Sequence, residues 1–329
     1  MLQLSVSMQD LASLRFALSP VWEIVASVRV LKDPAAHALH VPWVKQVRRR
    51  LSDLEGAFPL LSALVPVPTR VLPGFLAATP ASPLPDVEAE IDAVCSLDHD
   101  EIRTELATMY GSQMPPPVGS LHHNPGLHLP RLMDQMHRYW QDVLAPDWPR
   151  VRGLLEGDLM YRAQRLADGG PRLLFADLDP TITWSNGILT IQNPTTTADH
   201  RLGGRGLVVV PSAFTWPRVF VKVDERWPPV LRYPARGVGT LWEQQDGTGP
   251  DIAAVVGRAR ARVLRELAAP ASTSELARRT GLASSGVSAH LSRLRTAGLV
   301  DSHRTGRVVL YARTPRADAL IADDAGPTP

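Results

Sequence analysis

The sequence has one cysteine, only three lysines and no long apolar run. Cys95 on its own cannot form an intramolecular disulfide or build a thiolate metal site. The apolar runs are short, as at Leu207–Pro211, so no segment is expected to span a bilayer. Acidic and basic residues within the first fifteen positions argue against a signal peptide. These absences predict a cytoplasmic protein with neither a disulfide framework nor a membrane partner.

The composition is that of an ordinary globular protein. The chain has 329 residues, of which 44% are hydrophobic and 21% are charged. These values exclude a disordered chain, a collagen-like chain and a coiled-coil rod, and the length suits two domains of roughly 100–200 residues each. Arginine far outnumbers lysine, but together with 30 prolines and abundant alanine this bias is typical of a GC-rich coding sequence. The arginine excess alone therefore indicates no function.

The distribution of charge along the chain is more informative than its sum. Residues 251–316 contain 12 arginines and only four acidic residues, whereas residues 1–250 carry 23 basic and 26 acidic residues. A small basic unit attached to a slightly acidic body is typical of a nucleic-acid-binding module joined to another domain. A solvated helix face rich in arginine is the alternative reading.

Apolar residues recur at helical spacing over the first half of the chain, and short β-rich runs replace them afterwards. Asn186-Gly187 between two of these runs is a strong hairpin signal, so we predict a small antiparallel sheet. Seven prolines from Pro59 to Pro85 predict an irregular segment, because proline donates no backbone hydrogen bond. The predicted helices lie within 9–56, over Pro42–Leu54 and Asp86–Met109 and within 130–167; the predicted strands are Leu173–Phe175, Thr181–Trp184, Ile188–Ile191, Gly206–Val210 and Arg218–Val223.

The C-terminal stretch reads as a helix, a helix-turn-helix and a hairpin. An amphipathic helix is predicted over 252–269, and Ser272 and Glu275 predict a capping box at the next helix. Ala277, Gly281 and Val287 then have the spacing of a small crossing residue, a turn glycine and an apolar anchor.

A hairpin with a basic tip at Arg304-Thr305-Gly306 follows Gly298, which is placed to end the second helix. The fold class is therefore α+β. A mixed helical and antiparallel-sheet N-terminal domain is predicted over 1–245, with helices over 1–168 and a small sheet over 173–232. A C-terminal winged helix-turn-helix over 246–322 and a tail over 323–329 complete the prediction.

Residues Val287–Val300, with the sequence VSAHLSRLRTAGLV, resemble the recognition helix and wing entry of ArsR-type bacterial repressors. The resemblance covers about residues 252–316. It implies a dimer that binds a pseudo-palindromic operator and that an effector releases or remodels. Metal-sensing members carry a Cys-x-Cys pair on the helix before the turn, where this chain has Leu276-Ala277-Arg278, so the resemblance implies no such metal site.

The rest of the chain is similar to a large N-terminal region that accompanies such winged helices in some bacteria. That similarity is carried by Arg15–Pro20, Pro42-Trp43 and Tyr233–Gly237, and it implies no known activity.

The predicted DNA-binding residues lie on the helix-turn-helix and at the wing tip. The second helix enters the major groove N-terminus first, so hydroxyls at its start can bond phosphates or base edges, with helix capping as the alternative for one of them. Two arginines near the end of that helix leave opposite faces, so only one is expected to meet DNA. The residues are Thr273, Ser284, Ser285, Ser288, His290, Arg293, Arg295, Arg304 and Arg307.

Other possible sites have weaker signals. His122, His123 and His128 are predicted to lie in a loop without helical spacing, so surface or core histidines are favoured over a metal site. Asp177 and Asp179, before Pro180, favour a β-turn over a carboxylate pair. No nucleophile, zinc-protease or phosphate-loop motif stands out, so we expect no catalytic residues, no metal and no cofactor, and the chain is not expected to be an enzyme.

The sequence thus predicts a cytoplasmic, dimeric transcriptional regulator that binds double-stranded DNA at an inverted-repeat operator, and the resemblance implies that it acts as a repressor. Seven tryptophans before residue 230 offer enough aromatic surface for an apolar pocket, so the N-terminal domain is expected to sense a small molecule, with a purely structural or dimerising role as the alternative. Two rival functions remain open: a winged-helix protein-interaction module, and an enzyme domain fused to a DNA-binding module.

Replacement of Arg304 and Arg307 by alanine is expected to weaken binding to every DNA sequence, because wing arginines contact backbone or minor groove. The slope of log affinity against log salt should flatten by about one to two units. Titrations of labelled DNA at several salt concentrations measure this slope. An unchanged slope would remove the wing from the DNA footprint.

Overall fold

The computed structural model describes residues 1–51, 53–68, 72–192, 198–242, 256–267, 270–305 and 308–322. The chain divides into an N-terminal unit, Met1–Trp242, and a C-terminal unit, Glu243–Pro329. Each unit has a buried apolar core of its own.

The N-terminal unit is helical over most of its first 175 residues. Short 3₁₀ segments at Pro34–Ala36, Ala38–His40, Gly74–Ala77 and Val238–Thr240 and a π-helical turn at Trp140–Leu144 complete it. The helices are α1 (Met8–Ala12), α2 (Pro20–Lys32), α3 (Val41–Arg50), α4 (Leu54–Ala57), α5 (Pro59–Leu64), α6 (Val87–Cys95), α7 (His99–Tyr110), α8 (Pro116–His123), α9 (Pro125–Tyr139) and α10 (Trp148–Phe175).

Helix α2 is the central helix of this unit, since twelve of its thirteen residues are buried. Its start follows from the local sequence. The Ser19 hydroxyl accepts a hydrogen bond from the Trp22 N–H, and Pro20 occupies the first helical position, where its missing N–H costs nothing. These residues belong to the Arg15–Pro20 stretch noted above, so its serine and proline define a helix boundary.

Two four-stranded sheets pack with these helices. One has the order β3-β4-β1-β5 and the other β2-β6-β8-β7. The strands are β1 (Leu2–Ser5), β2 (Arg15–Phe16), β3 (Ile182–Ser185), β4 (Ile188–Ile191), β5 (Ala198–Arg201), β6 (Val208–Ser212), β7 (Phe220–Lys222) and β8 (Val230–Pro234).

The predicted α+β class is confirmed, but the prediction of helices over 1–168 and one small antiparallel sheet over 173–232 was wrong in its sheet topology. Strand β1 pairs parallel with β5 and antiparallel with β4, and β6 pairs parallel with both β2 and β8. Strands β1 and β2 have four and two residues. Such short strands show too little alternation to be recognised, and they form because distant segments supply their partners. The hairpin at Asn186-Gly187 is confirmed, with β3 and β4 paired antiparallel.

Two local predictions also need correction: the strand at Leu173–Phe175 and the irregular proline-rich segment. Leu173–Phe175 is the last turn of α10 and not a strand; this helix is interrupted at Gly169 and Gly170, the latter with a φ of 63°. A three-residue apolar run fits either structure, and the glycine pair hides the continuity. The proline-rich segment contains the helix α5, because Pro59 lies at its first position.

The three histidines predicted to lie in a loop are instead helical. His122 and His123 end α8, and His128 lies in the first turns of α9. Asn124 separates the two helices and accepts a hydrogen bond from the Leu127 N–H, so the Asn-Pro-Gly signal marks a helix cap. Within the described residues, no group of three or more histidine, cysteine, aspartate or glutamate residues is arranged to hold a metal ion. No described helix combines the length and apolar character needed to cross a membrane.

A buried polar network ties α10 to β8 and the connector after it. Asp158 accepts hydrogen bonds from the Tyr233 hydroxyl and from the Arg236 N–H. Burial raises the pKa of Tyr233, so its hydroxyl stays protonated and able to donate. Arg162, fully buried beside Asp158, donates to the Asp177 carboxylate. The Tyr233–Gly237 stretch is therefore anchored to a helix 75 residues earlier in the chain.

The substitution Asp158→Ala is expected to destabilise the N-terminal unit by about 3 kcal/mol, because it leaves the buried Tyr233 hydroxyl without its acceptor and the buried Arg162 without the carboxylate beside it. All eight tryptophans lie in residues 1–242, so urea unfolding followed by tryptophan fluorescence reports on this unit. Asp142→Ala, at an exposed position, is the matched control and should change stability by less than about 0.5 kcal/mol. Equal unfolding midpoints for the two variants would show that the network contributes nothing.

The C-terminal unit contains four helices and a three-stranded sheet of order β10-β11-β9 within its described residues. Strands β10 and β11 form the antiparallel wing, with Val300 opposite Arg313 and Thr305 opposite Val308. The elements are α11 (Arg258–Glu266), β9 (Ala271–Ser272), α12 (Thr273–Thr280), α13 (Ser284–Thr296), β10 (Val300–Thr305), β11 (Val308–Arg313) and α14 (Pro315–Ala322).

Candidate nucleic-acid interface

The start of α12 is capped by Ser272, whose hydroxyl accepts a hydrogen bond from the Glu275 N–H at 3.3 Å. The predicted return bond from Glu275 to the cap is not formed, so the capping-box prediction was half wrong. The Glu275 carboxylate instead forms an ion pair with Arg279, four residues later on the same helix face. Thr273, the first residue of α12, is half-buried, and its hydroxyl has no hydrogen bond to another described residue.

The turn between α12 and α13 depends on Gly281, which ends α12 with a φ of 66°. Gly298 follows α13 with a φ of 69°. Both values lie in the left-handed region, where a side chain would be strained, so the sequence prediction for these two glycines is confirmed. The short turn sets the direction in which α13 leaves α12.

Three apolar side chains fix the rotation of α13 about its axis. Val287, Leu291 and Leu294 are buried in the core of the C-terminal unit, together with Leu264 of α11 and Leu276 of α12. Because these three positions recur every three or four residues, the opposite side of α13 must face solvent. That outward face carries Ser285, Ser288, Ser292 and Arg293, all exposed.

The serines at the start of α13 are free for an external partner. The N-cap position is Ala283, which has no side-chain cap, so none of the predicted serines caps the helix. The hydroxyls of Ser284, Ser285 and Ser288 form no hydrogen bond with any described residue. The first-turn N–H groups of a helix also lack intrahelical acceptors and carry partial positive charge. This end of α13 therefore presents several donors suited to phosphate or base edges.

The structure distinguishes the two arginines of α13. The Arg295 guanidinium donates to the Ser302 hydroxyl of β10 at 3.3 Å, which holds it against the wing. Arg293 is exposed and pairs with no described residue. Arg293 is therefore the arginine of this helix with donors to spare, and it lies on the exposed side, opposite the buried stripe.

The remaining predicted residues are less clearly placed for contact. His290 is half-buried on the flank of α13, and its Nδ1 is buried without a hydrogen-bond partner among the described residues. Arg304 lies in β10, with its backbone opposite Val309. Arg307 lies outside the described residues.

Two exposed residues escaped the sequence prediction. Ser292 lies one helical turn after Ser288 on the outward face, and its hydroxyl has no partner among the described residues. Arg278 is exposed on α12 and likewise has no described partner. The four-residue spacing from Ser288 was a signal for Ser292, but only the burial of the opposite face shows which serines share a side.

One family model matches residues 258–303 and is described as a helix-turn-helix domain. The match runs from α11 into β10, and the second wing strand β11 and the helix α14 lie beyond it. The C-terminal unit is a DNA-binding helix-turn-helix domain. With the wing formed by β10 and β11, this domain is a winged helix, and the chain carries the DNA-binding module of a transcriptional regulator.

A second family model, described as a family of unknown function (DUF5937), matches residues 105–239 of the N-terminal unit. This range begins in α7 and ends in the 3₁₀ segment Val238–Thr240. No curated protein and no solved structure matches the chain.

The two arginines of α13 provide a matched pair for the helix-turn-helix domain. Arg293→Gln is expected to weaken DNA binding by roughly 1–3 kcal/mol, since it removes an unpaired donor from the outward face. Arg295→Gln should cost less, because its guanidinium is engaged with Ser302. Titration of the same labelled DNA with both variants compares them. A larger loss for Arg295→Gln would mean that the flank and not the outward face of α13 meets DNA.

Proposed function

We propose that this protein is a sequence-specific transcriptional repressor of the ArsR type, acting in the cytoplasm as a homodimer on an inverted-repeat operator. In this proposal the N-terminal unit senses a small molecule and performs no catalysis. The observation that carries it is the outward face of α13, where hydroxyls and Arg293 lie exposed while the opposite face is buried.

The chemistry of that face favours DNA over a protein partner. Protein interfaces need apolar or aromatic anchors at their centre, whereas contacts to DNA come mainly from hydroxyls, amides and arginines. The outward face of α13 holds serines, Ala289, Thr296 and Arg293, with no large apolar side chain. The alternative role as a protein-interaction module therefore has little support from the surface itself.

The ArsR-type assignment rests on the order of elements and on the resemblance of the recognition helix. At the place of the family's Cys-x-Cys pair, Leu276 is buried in the core and Arg278 is exposed. These side chains cannot ligate a soft metal ion, so the effector we propose is not a metal. Stoichiometric binding of Zn²⁺, Ni²⁺ or Cu⁺ that changes operator affinity would overturn this part.

The proposal of a dimer rests on the small number of base pairs that one winged helix can contact. A single winged helix contacts only a few base pairs, so selection of one operator in a genome requires two half-sites. The amphipathic helix α11 is one candidate for the dimer contact. Its apolar residues Ala261, Val263 and Leu264 are buried in the core of the C-terminal unit itself, whereas Arg262 and Arg265 are exposed. The described part of α11 thus offers no apolar surface, which favours the N-terminal unit or α14 as the dimer contact.

Sedimentation of the purified chain at micromolar concentration is expected to show a homodimer, with and without DNA. Selection from random DNA should return an inverted repeat whose half-sites lie about one helical turn apart. Ser288→Ala should change the base preference within the half-site more than non-specific binding. A protein that remains monomeric in both conditions, or a selected site without symmetry, would contradict the dimer.

A further inference from the structure

A cavity of about 1090 Å³ lies within the N-terminal unit. One wall is the face of α7 that carries Glu101, Thr104, Glu105 and Thr108, and the other is the edge strand β7 with its flanking residues. Small-molecule pockets have volumes of about 300–1,000 Å³, so this cavity has room for a whole organic molecule of modest size.

The apolar part of the cavity centres on Phe220. The Phe220 ring meets the Trp22 ring edge-on, with centroids 5.1 Å apart, and Leu72, Met109 and Val221 add aliphatic surface. Such a surface favours a flat or apolar ligand body. Trp22 is the one tryptophan among the residues that line this cavity, and six of the other seven lie in or against the apolar cores of the N-terminal unit.

The acidic groups of the cavity and the ammonium group of Lys222 already have partners within the protein. Burial raises the pKa of Glu105, and its carboxylate accepts from the Gly74 N–H and pairs with Arg226. Burial lowers the pKa of Lys222 to about 8, and its ammonium bonds the Gly74 carbonyl at 2.8 Å and Asp224 at 3.2 Å. The remaining acidic groups are engaged in the same way: Asp98 caps α7, Asp100 pairs with Arg103 and Glu101 lies 3.8 Å from Arg226.

Two guanidinium groups of the cavity, in contrast, keep donors unused. Arg232 is only 1% exposed and stacks over the Trp22 ring. One of its terminal nitrogens donates to the carbonyls of Ala77 and Ala78, but its Nε has no hydrogen-bond partner among the described residues. Arg218 lies two residues before Phe220, and its exposed guanidinium forms no hydrogen bond with any described residue. The buried Nε of Arg232 and the guanidinium of Arg218 can therefore each donate to an acceptor on a molecule in the cavity.

We propose that this cavity binds a small organic anion, with its apolar or aromatic body against Phe220 and Trp22 and its acidic group between Arg218 and Arg232. The ligand supplies an acceptor for the Arg232 Nε and for the Arg218 guanidinium. The further statement that this anion is the effector rests on the proposed function: it changes operator affinity only to the extent that it binds the DNA-competent and DNA-incompetent states differently.

The test uses the full-length chain and two fluorescent probes that share one aromatic body. One is 8-anilinonaphthalene-1-sulfonate, and the other is N-phenyl-1-naphthylamine, which lacks the sulfonate. Arg218→Gln should weaken binding of the sulfonate about tenfold, because it removes a charge-assisted contact, and should leave the neutral probe unchanged. Arg131→Gln, an exposed arginine of α9 outside the cavity, removes the same charge and should affect neither probe.

A filling variant locates the binding. Thr108 is exposed on α7 and lines the cavity, so Thr108→Trp fills space without disturbing the buried face of the helix. This variant should lose both probes at unchanged circular dichroism. One sulfonate per chain, lost in Thr108→Trp and weakened in Arg218→Gln, supports the proposal. Equal sulfonate binding by wild type, Arg218→Gln and Arg131→Gln, or full binding by Thr108→Trp, overturns it.

Operator binding on the same preparations separates this proposal from the one on which it rests. A chain that binds its operator but not the sulfonate refutes the anion site and leaves the DNA-binding function intact. A chain that binds the sulfonate at the cavity but no DNA refutes the function and leaves the site intact. Sulfonate bound at the cavity with no change in operator affinity overturns the effector role alone.

Discussion

The burial of Val287, Leu291 and Leu294 is the constraint on which the DNA-binding geometry depends. These three residues anchor one side of α13 in the core, so the polar side of the helix faces solvent. Every residue argued to meet DNA on this helix owes its position to that rotation. At about 25 cal/mol per Å² of apolar surface, fully burying three such side chains contributes roughly 5–9 kcal/mol, far more than any single polar contact on the exposed side.

The interior of the N-terminal unit contains several charged side chains. Glu23, Arg162 and Arg232 are each at most 1% exposed. Backbone groups satisfy much of their bonding: Glu23 accepts from the Ala213 and Phe214 N–H groups, while Arg232 donates to two carbonyls. Burial nevertheless raises the pKa of Glu23 to about 8, so desolvation outweighs these bonds. Such groups orient loops that an apolar side chain would leave free.

In the proposed function, the N-terminal unit is the sensor and its cavity is the ligand site. The cavity is bounded by the edge strand β7 on one side and by the exposed face of α7 on the other. A ligand that binds one arrangement of α7 and β7 better than another shifts the balance between them. In that proposal the helix-turn-helix domain itself holds no metal effector, since Leu276 and Arg278 stand where metal-sensing ArsR-type repressors carry cysteines.

Local patterns in the sequence were sufficient where a few neighbouring residues decide the structure. Gly281 and Gly298, the wing hairpin and the apolar stripe of α13 were all predictable, because turn conformation and helical periodicity are local properties. The sequence therefore determined by itself that the chain ends in a winged helix.

Long-range partners decided the rest. Strands β1 and β2 exist because chain segments nearly 200 residues away pair with them, and no local pattern encodes that pairing. Only the tertiary structure shows that Arg295 is held by Ser302 while Arg293 is not. Likewise, it alone places Arg232 of β8 and Phe220 of β7 beside Trp22 of α2. Side chains that are distant in sequence come together to form a pocket. Its chemistry depends on which of their polar groups still lack a hydrogen-bond partner once the core has formed.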